Sequence, residues 1–272
     1  MDRRLLLGLI GTGIRRSLSP ALHEEEGRHH GLRIHYQLID VGGDVLEGLI
    51  AAVRLVGFDG FNVTYPYKQA VLPLLDELSE EARAMAAVNT VVRRGDRLIG
   101  HNTDGSGWAW GFRRALPRAR LDRVVLLGAG GAGAAIAHAA LGVGVRKLLI
   151  FDREAERAAE LAGALGRRAE ATSNLGGAMA EADGLIQATP VGMEKSPGLP
   201  LDPGLLRPQL WVSEVVYVPL ETELLKAARR AGCPAMDGGH MNVGQACRAF
   251  ELFTGEKADA ARIEAHFRRL VA

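Results

Sequence analysis

Two stretches carry residues that could move a proton. One is Phe61-Asn62-Val63-Thr64-Tyr65-Pro66-Tyr67-Lys68; the other is His101-Asn102-Thr103-Asp104-Gly105. Only five of the 33 basic residues are lysines, and four of those stand in ordinary charged surroundings. Lys68 instead follows an apolar run and a proline turn, a setting that points an ammonium into a cleft. Burial lowers a lysine pKa and a nearby carboxylate opposes that shift, so Lys68 and Asp104 at strand ends read as a proton-transfer pair, or more plainly as a loop salt bridge. Ser17 and Ser19 in Ser17-Leu18-Ser19-Pro20 lie two apart; in an extended segment both hydroxyls face one way, as a ligand carboxylate would need. Ser19 before Pro20 also reads as a helix N-cap. Asn89 in Ala87-Val88-Asn89-Thr90-Val91-Val92 occupies the interior of an expected strand, where asparagine is depleted. It meets either a ligand hydroxyl or a nearby loop.

Positioning these residues requires strands alternating with helices. Apolar runs predict strands over residues 4–10, 34–39, 58–63 and 87–92, and helices over 21–30, 46–56, 69–76 and 80–85. The alternation implies an α/β domain with a mainly parallel sheet. A helix over 104–116 leads to a strand, Arg123 to Leu127, followed by Gly128-Ala129-Gly130-Gly131-Ala132-Gly133 and a helix through Leu141. This is G-x-G-x-x-G between strand and helix, where glycines permit a tight turn and backbone N–H groups meet a pyrophosphate. The next strand, 147–151, ends in Asp152, suited to ribose hydroxyls. A carboxylate there accepts from a 2′-OH and repels a 2′-phosphate, favouring NAD over NADP. Arg153 could clamp a phosphate or stack on adenine, while Glu154 and Glu156 add negative charge. A strand over 184–188 leads into Thr189-Pro190-Val191-Gly192-Met193, where the nicotinamide half should lie. Further on come a strand over 211–216, Tyr217, a helix over 241–253 bearing Gln245, and a helix over 259–270 that returns to the first domain.

At 272 residues the chain has room for two cores. Its 47% hydrophobic and 24% charged residues are those of a soluble globular protein, and a net charge of +1 gives no reason to expect nucleic acid or an anionic membrane as partner. Two cysteines, no Cys-x-x-Cys, no membrane-length apolar run and too short an apolar stretch in Met1 to Ile10 for a signal peptide lead to an expected cytoplasmic location. The eight histidines show no ligand spacing, so no metal site is expected.

Taken together, the motifs resemble the shikimate dehydrogenase family, including its quinate/shikimate branch. They are Ser-x-Ser-Pro at 17–20, Asn-Val-Thr-x-Pro-x-Lys at 62–68, Ala-Val-Asn-Thr at 87–90, Asn-Thr-Asp-Gly at 102–105, the glycine fingerprint, Ala-Thr-Pro-Val-Gly-Met at 188–193, Tyr217, Asp237-Gly238 and Gln245. The resemblance implies a substrate-binding domain over 1–107, completed by 240–272, and a Rossmann dinucleotide-binding domain over 108–239, with substrate held between them and hinge closure on binding. It implies that Ser17 and Ser19 bind the substrate carboxylate, and that Thr64, Lys68, Asn89, Asp104 and Gln245 contact ring hydroxyls, with Tyr217 nearby. On the cofactor side it implies Gly128, Gly130, Gly131, Ala132, Gly133, Asp152, Arg153, Thr189, Pro190, Val191, Met193, Val215, Gly238 and Met241. The common biosynthetic branch has Asn-Arg-Thr or Asn-Arg-Ser where this chain has Asp152-Arg153-Glu154, which resembles the NAD-using branch. Arg16 stands where the family often has histidine, and Ser19 where quinate-active members often have threonine.

The expected activity is reversible hydride transfer at ring C3 of a cyclic hydroxy-carboxylate, shikimate and possibly quinate, by a monomer or homodimer. The resemblance ties this to aromatic amino acid biosynthesis, while an oxidised NAD pool would push toward ketone formation. The alternatives are an NADP-dependent biosynthetic enzyme, an aminoshikimate-type or folate dehydrogenase on the same plan, and a dinucleotide-sensing module without catalysis.

Overall fold

In a computed structural model of the chain, described over residues 3–271, the polypeptide divides into two compact units: residues 1–103 with 245–272, and residues 104–244.

The first unit runs β1 (Arg4–Gly11), α1 (Ser19–His29), β2 (Arg33–Asp40), α2 (Leu46–Val56), β3 (Gly60–Val63), β4 (Glu77–Leu78), α3 (Glu80–Met85), β5 (Thr90–Arg94) and β6 (Arg97–His101). Its six strands lie in the order β2-β1-β3-β5-β6-β4. β1 pairs in parallel with β2 and β3, whereas β5 runs antiparallel to both β3 and β6. Alternation along β1 sends Leu5, Leu7 and Leu9 into one core cluster and Ile10 into the other, so the sheet is covered on both faces. A strand buried on both sides reads as a continuous apolar run, which is why β1 was legible.

The second unit runs α4 (Asp104–Ala115), β7 (Arg123–Leu127), α5 (Gly131–Gly142), β8 (Lys147–Phe151), α6 (Ala155–Leu165), β9 (Ala169–Ala171), α7 (Leu175–Ala180), β10 (Gly184–Gln187), β11 (Trp211–Glu214), α8 (Glu223–Arg230) and β12 (Ala235–Met236). All its strands are parallel, in the order β9-β8-β7-β10-β11-β12. The chain therefore winds one way from β7 and the other way from β10, leaving a switch point at their carboxyl ends, where open α/β sheets bind ligands. Trp108 on α4 is fully buried, stacks on Phe112 at 4.9 Å and donates its indole N–H to Ser213 Oγ at 2.9 Å. Finally α9 (Gly238–Thr254) passes from this unit into the first, to which α10 (Ala260–Val271) also belongs.

Three expectations are corrected. No helix spans 69–76; only a single 3₁₀ turn, Leu72–Leu74, forms there. Pro73 has no N–H to give a longer helix and restricts the residue before it. β5 begins at Thr90, so Asn89 lies in the bend before the strand rather than inside it. Ser19 is not an N-cap but the first helical residue of α1, with Leu18 in the cap position and no side-chain cap.

Candidate active site

In the first unit, polar side chains gather at the carboxyl ends of β1 and β3. Ser17 and Ser19 are not extended: Ser17 N donates to Ile14 O at 2.8 Å, and Leu18 is in the right-handed helical region. The turn brings the hydroxyls together all the same, Ser17 Oγ donating to Ser19 Oγ at 3.2 Å. Thr64 follows β3, its N–H bonded to Ile10 O at 2.9 Å. From there the chain turns through Tyr67, which is 5% exposed and donates its hydroxyl to Gly43 O at 3.1 Å. Lys68 is half-buried, and its carbonyl accepts from Val88 N at 2.8 Å. That bond fastens the Lys68 backbone to the segment carrying Asn89.

Asn89 is buried and makes the loop contacts that were one of its two readings. Its Oδ1 accepts from Thr103 N at 2.7 Å and Thr90 Oγ1 at 3.0 Å, and its Nδ2 donates to Thr103 Oγ1 at 3.0 Å. Asn102 is buried too, with Nδ2 donating to Ala87 O at 3.0 Å. Asn89 and Asn102 thereby hold the chain immediately before Asp104. Gln245 lies on α9, half-buried.

In the second unit Asp104 opens α4 and is 6% exposed. Tyr217 lies within reach of its charge: burial, and then the Asp104 carboxylate, hold the Tyr217 phenol above its usual range, so it stays a hydrogen-bond donor.

The glycine segment fits a dinucleotide. Gly128 has φ +96, and a Cβ there would come within 3.0 Å of Ala188 backbone. A Cβ on Gly133 would sit 2.0 Å from Gly128 O, so α5 packs against the turn only through glycine. Cβ positions on Gly130 and Gly131 face open space, and α5 starts at Gly131 with no side chain capping its N–H groups. Free helix N-terminal donors beside open space are what a pyrophosphate requires. Asp152 at the end of β8 ties this turn down: Oδ2 accepts from Ala129 N at 2.7 Å and Oδ1 from Glu154 N at 2.9 Å. Arg153 is exposed beside it.

Two buried polar residues of this unit escaped the sequence reading. Gln187 ends β10 fully buried and organises the turn after it. Its Oε1 accepts from Thr189 N and Oγ1, both at 3.0 Å, and its Nε2 donates to Val191 O at 2.8 Å. Glu214 ends β11, equally buried; it accepts from Val215 N at 2.8 Å, Val216 N at 3.0 Å and Thr222 Oγ1 at 2.9 Å. Burial pushes its carboxyl up to about 7 even though these donors pull the other way. Both shape the backbone of residues 189–191 and 215–217. The available signal was a polar residue at the last position of an apolar strand. Gly238, opening α9, lies so close to this segment that a Cβ would meet Val216 O at 2.3 Å; Met241 is buried one turn on. Met193 is 43% exposed at the rim of the 189–193 turn. Among the described residues no group of three or more His, Cys, Asp or Glu side chains could hold a metal ion, and no helix is long and apolar enough to cross a membrane.

A six-stranded parallel sheet with a glycine turn at its switch point and an acidic end on the neighbouring strand, joined to an α/β unit rich in hydroxyl and amide side chains, defines a nicotinamide-dinucleotide-dependent oxidoreductase acting on a CH–OH group. Residues 9–91 match the model of the shikimate dehydrogenase substrate binding domain, and residues 113–193 that of shikimate / quinate 5-dehydrogenase. A shikimate dehydrogenase (NADP(+)) of Streptomyces avermitilis is 53% identical, over 97% of this chain and 95% of that protein. A quinate/shikimate dehydrogenase (NAD(+)) of Corynebacterium glutamicum is 46% identical, over 98% and 99%. The structure of quinate dehydrogenase from Corynebacterium glutamicum in complex with NAD superposes with a TM-score of 0.93 at 45% identity, over 98% of this chain and all of that one. The chain belongs to the shikimate dehydrogenase family.

Proposed function

We propose that this chain is an NAD-dependent dehydrogenase of shikimate and quinate that oxidises the ring C3 hydroxyl reversibly. The observation that carries the cofactor reading is Asp152, whose carboxylate is held at the end of β8 by Ala129 N and Glu154 N beside the glycine turn. A carboxylate so placed accepts from a ribose 2′-OH and repels a 2′-phosphate. Similar relatives use either cofactor by name, NADP for the Streptomyces enzyme and NAD for the Corynebacterium one, and the local charge supports NAD here. With saturating shikimate, kcat/KM for NAD should exceed that for NADP. Asp152→Ala should lower the NAD value by about 10- to 100-fold, the worth of a hydrogen bond to a charged group, while sparing the NADP value. A wild-type enzyme that prefers NADP would overturn the assignment.

The dinucleotide, when bound, supplies the hydride acceptor or donor. Lys68 takes the proton of the substrate hydroxyl as hydride leaves the same carbon, and returns it in the reverse direction; Asp104 is its carboxylate partner and orients the hydroxyl. Thr64, Asn89, Gln245 and Tyr217 bind the ring hydroxyls. Ser17 and Ser19 bind the carboxylate, supported by the 3.2 Å approach of their hydroxyls. Ser17→Ala should raise KM for shikimate about tenfold and leave kcat nearly unchanged, because a carboxylate remote from the reacting carbon is bound alike in ground and transition states. An unaltered KM would count against that role. Assays with shikimate and quinate side by side rank the substrates.

A further inference from the structure

One buried carboxylate ties together separate pieces of the second unit. Glu214 ends β11 with no exposed surface. Its Oε1 accepts from Val216 N at 3.0 Å and from Val215 N at 2.8 Å, an N–H shared with Gln187 O at 3.1 Å. Its Oε2 accepts from Thr222 Oγ1 at 2.9 Å. Thr222 is 1% exposed and caps α8, accepting from Leu225 N at 3.2 Å, so its single hydroxyl proton goes to the carboxylate. The 189–193 turn lies against the same group: a Cβ on Gly192 would sit 3.9 Å from Glu214 Oε2 and 3.4 Å from Thr222 Cγ2. All three groups that bond Glu214 are donors, the set an anion requires. The charged side chains of the surrounding elements are engaged elsewhere, Glu221 with Arg229 and Glu223 with Lys226 at α8, and Asp237 with His240 at the start of α9. Glu194 and Lys195 are exposed on the loop after the turn, and Gln187 on β10 is neutral. Burial holds the Glu214 carboxyl at about 7, so its two charge states interchange near neutrality. A proton on Oε1 would face two N–H groups; one on Oε2 would take the place of the Thr222 hydrogen.

We propose that Glu214 is a positioning residue for the nicotinamide half of the dinucleotide: its ionised carboxylate fixes the 215–217 segment, and adding a proton to it weakens binding of NAD without weakening binding of the adenosine half. The inference rests on the cofactor reading given above. With the adenosine ribose at Asp152 beside the glycine turn, the nicotinamide half crosses the switch point to the carboxyl ends of β10 and β11. The peptide between Val215 and Val216 is held at both ends there. Its N–H is on Glu214, and its carbonyl packs so closely on the start of α9 that a Cβ on Gly238 would meet Val215 O at 2.6 Å. Loss of the anion frees the N–H end. Glu214→Gln reproduces the neutral form at every pH, since its amide presents hydrogens to Thr222 Oγ1 where the carboxylate accepts one.

The test is titration calorimetry on the full chain, wild type and Glu214→Gln, with NAD and with ADP-ribose, which keeps the adenosine half and both phosphates but lacks nicotinamide. Above neutral pH the variant should bind NAD about tenfold more weakly, the lower end of what a hydrogen bond to a charged group contributes, while its Kd for ADP-ribose stays within about twofold of wild type. In wild type the Kd for NAD should rise as pH falls through about 7, because the tighter-binding ionised form is depleted, and the variant should lack that step. An unchanged Kd for NAD in the variant overturns the proposal. Equal weakening of both ligands also overturns it, since Glu214 would then support the unit as a whole. A pH step that persists in the variant belongs to another group, such as His240, and counts the same way. If Glu214→Gln does not fold, the wild-type titrations decide: NAD must lose affinity below neutrality and ADP-ribose must keep it. If wild type binds neither ligand, the reading of the glycine turn and Asp152 as the cofactor site falls, and this inference with it.

Discussion

Lys68→Met should lower kcat by about 10²- to 10⁴-fold with a much smaller change in KM, the span that a positioned general acid/base contributes. Methionine keeps the length and apolar stem of lysine and removes only the ammonium. The backbone at this position should hold, since its fastenings lie elsewhere. Tyr67 is buried with its hydroxyl on Gly43 O, and Val88 N donates to the Lys68 carbonyl. Neither bond involves the Lys68 side chain, so a loss of turnover would report chemistry rather than a collapsed turn. Steady-state kinetics in both directions make the check. A raised KM with kcat intact would mean that Lys68 binds substrate without moving a proton.

Arg262→Ala should destabilise the first unit by about 3–5 kcal/mol, because it strands a carboxylate that has almost no water to turn to. Glu26 on α1 is 1% exposed, and Arg262 on α10 grips it through Nε at 2.7 Å and Nη2 at 2.8 Å. Asp259 N donates to Glu26 Oε1 at 2.8 Å, and His30 Nε2 lies 3.0 Å from the same oxygen. Burial alone would raise the Glu26 pKa, but Arg262, the Asp259 N–H and His30 together hold it below the ordinary carboxylate range. A pKa depressed by folding adds stability that is complete above the unfolded value and lost as pH falls through the folded one. The gap between wild type and Arg262→Ala should therefore be full at neutral pH and close in acid, below the usual range for glutamate. All three tryptophans, Trp108, Trp110 and Trp211, belong to the second unit. Hydrogen exchange in α1 and α10 is accordingly the direct measurement, with tryptophan fluorescence as a control for the other unit. Unaltered protection in both helices would show that the ion pair contributes little.

Elements with a strong repeat and clear ends were legible. The expected helix over 46–56 matches α2, Leu46–Val56, closed by Gly57 in the left-handed region at φ +86. The strand over 147–151 matches β8, whose apolar run is bounded by Lys147 and Asp152. β6, β9 and β12 were not legible: β9 and β12, three and two residues long, are too short to show a period, and β6 offers only Leu98 and Ile99 as an apolar pair. β6 exists because it pairs antiparallel with β5 across the Gly95 turn, a partnership no local pattern announces.

What the sequence determined by itself was the type and order of the motifs: a glycine turn between strand and helix, an acidic strand end at Asp152, two serines before Pro20, and a lone lysine after a proline turn. Local chemistry specifies each of these, since a tight turn demands glycine and a ribose hydroxyl demands an acceptor. Tertiary structure alone decided how the groups are wired. Ser17 and Ser19 meet through a turn rather than along a strand, and Asn89 bonds Thr103 through its side chain. Gln187 and Glu214, ordinary polar residues on paper, become the anchors of two loops because the sheet buries them completely. A buried polar group must find partners, and Gln187 and Glu214 find theirs in the loops that directly follow them. What no local pattern announces is the burial, because that depends on which strands lie on either side of β10 and β11.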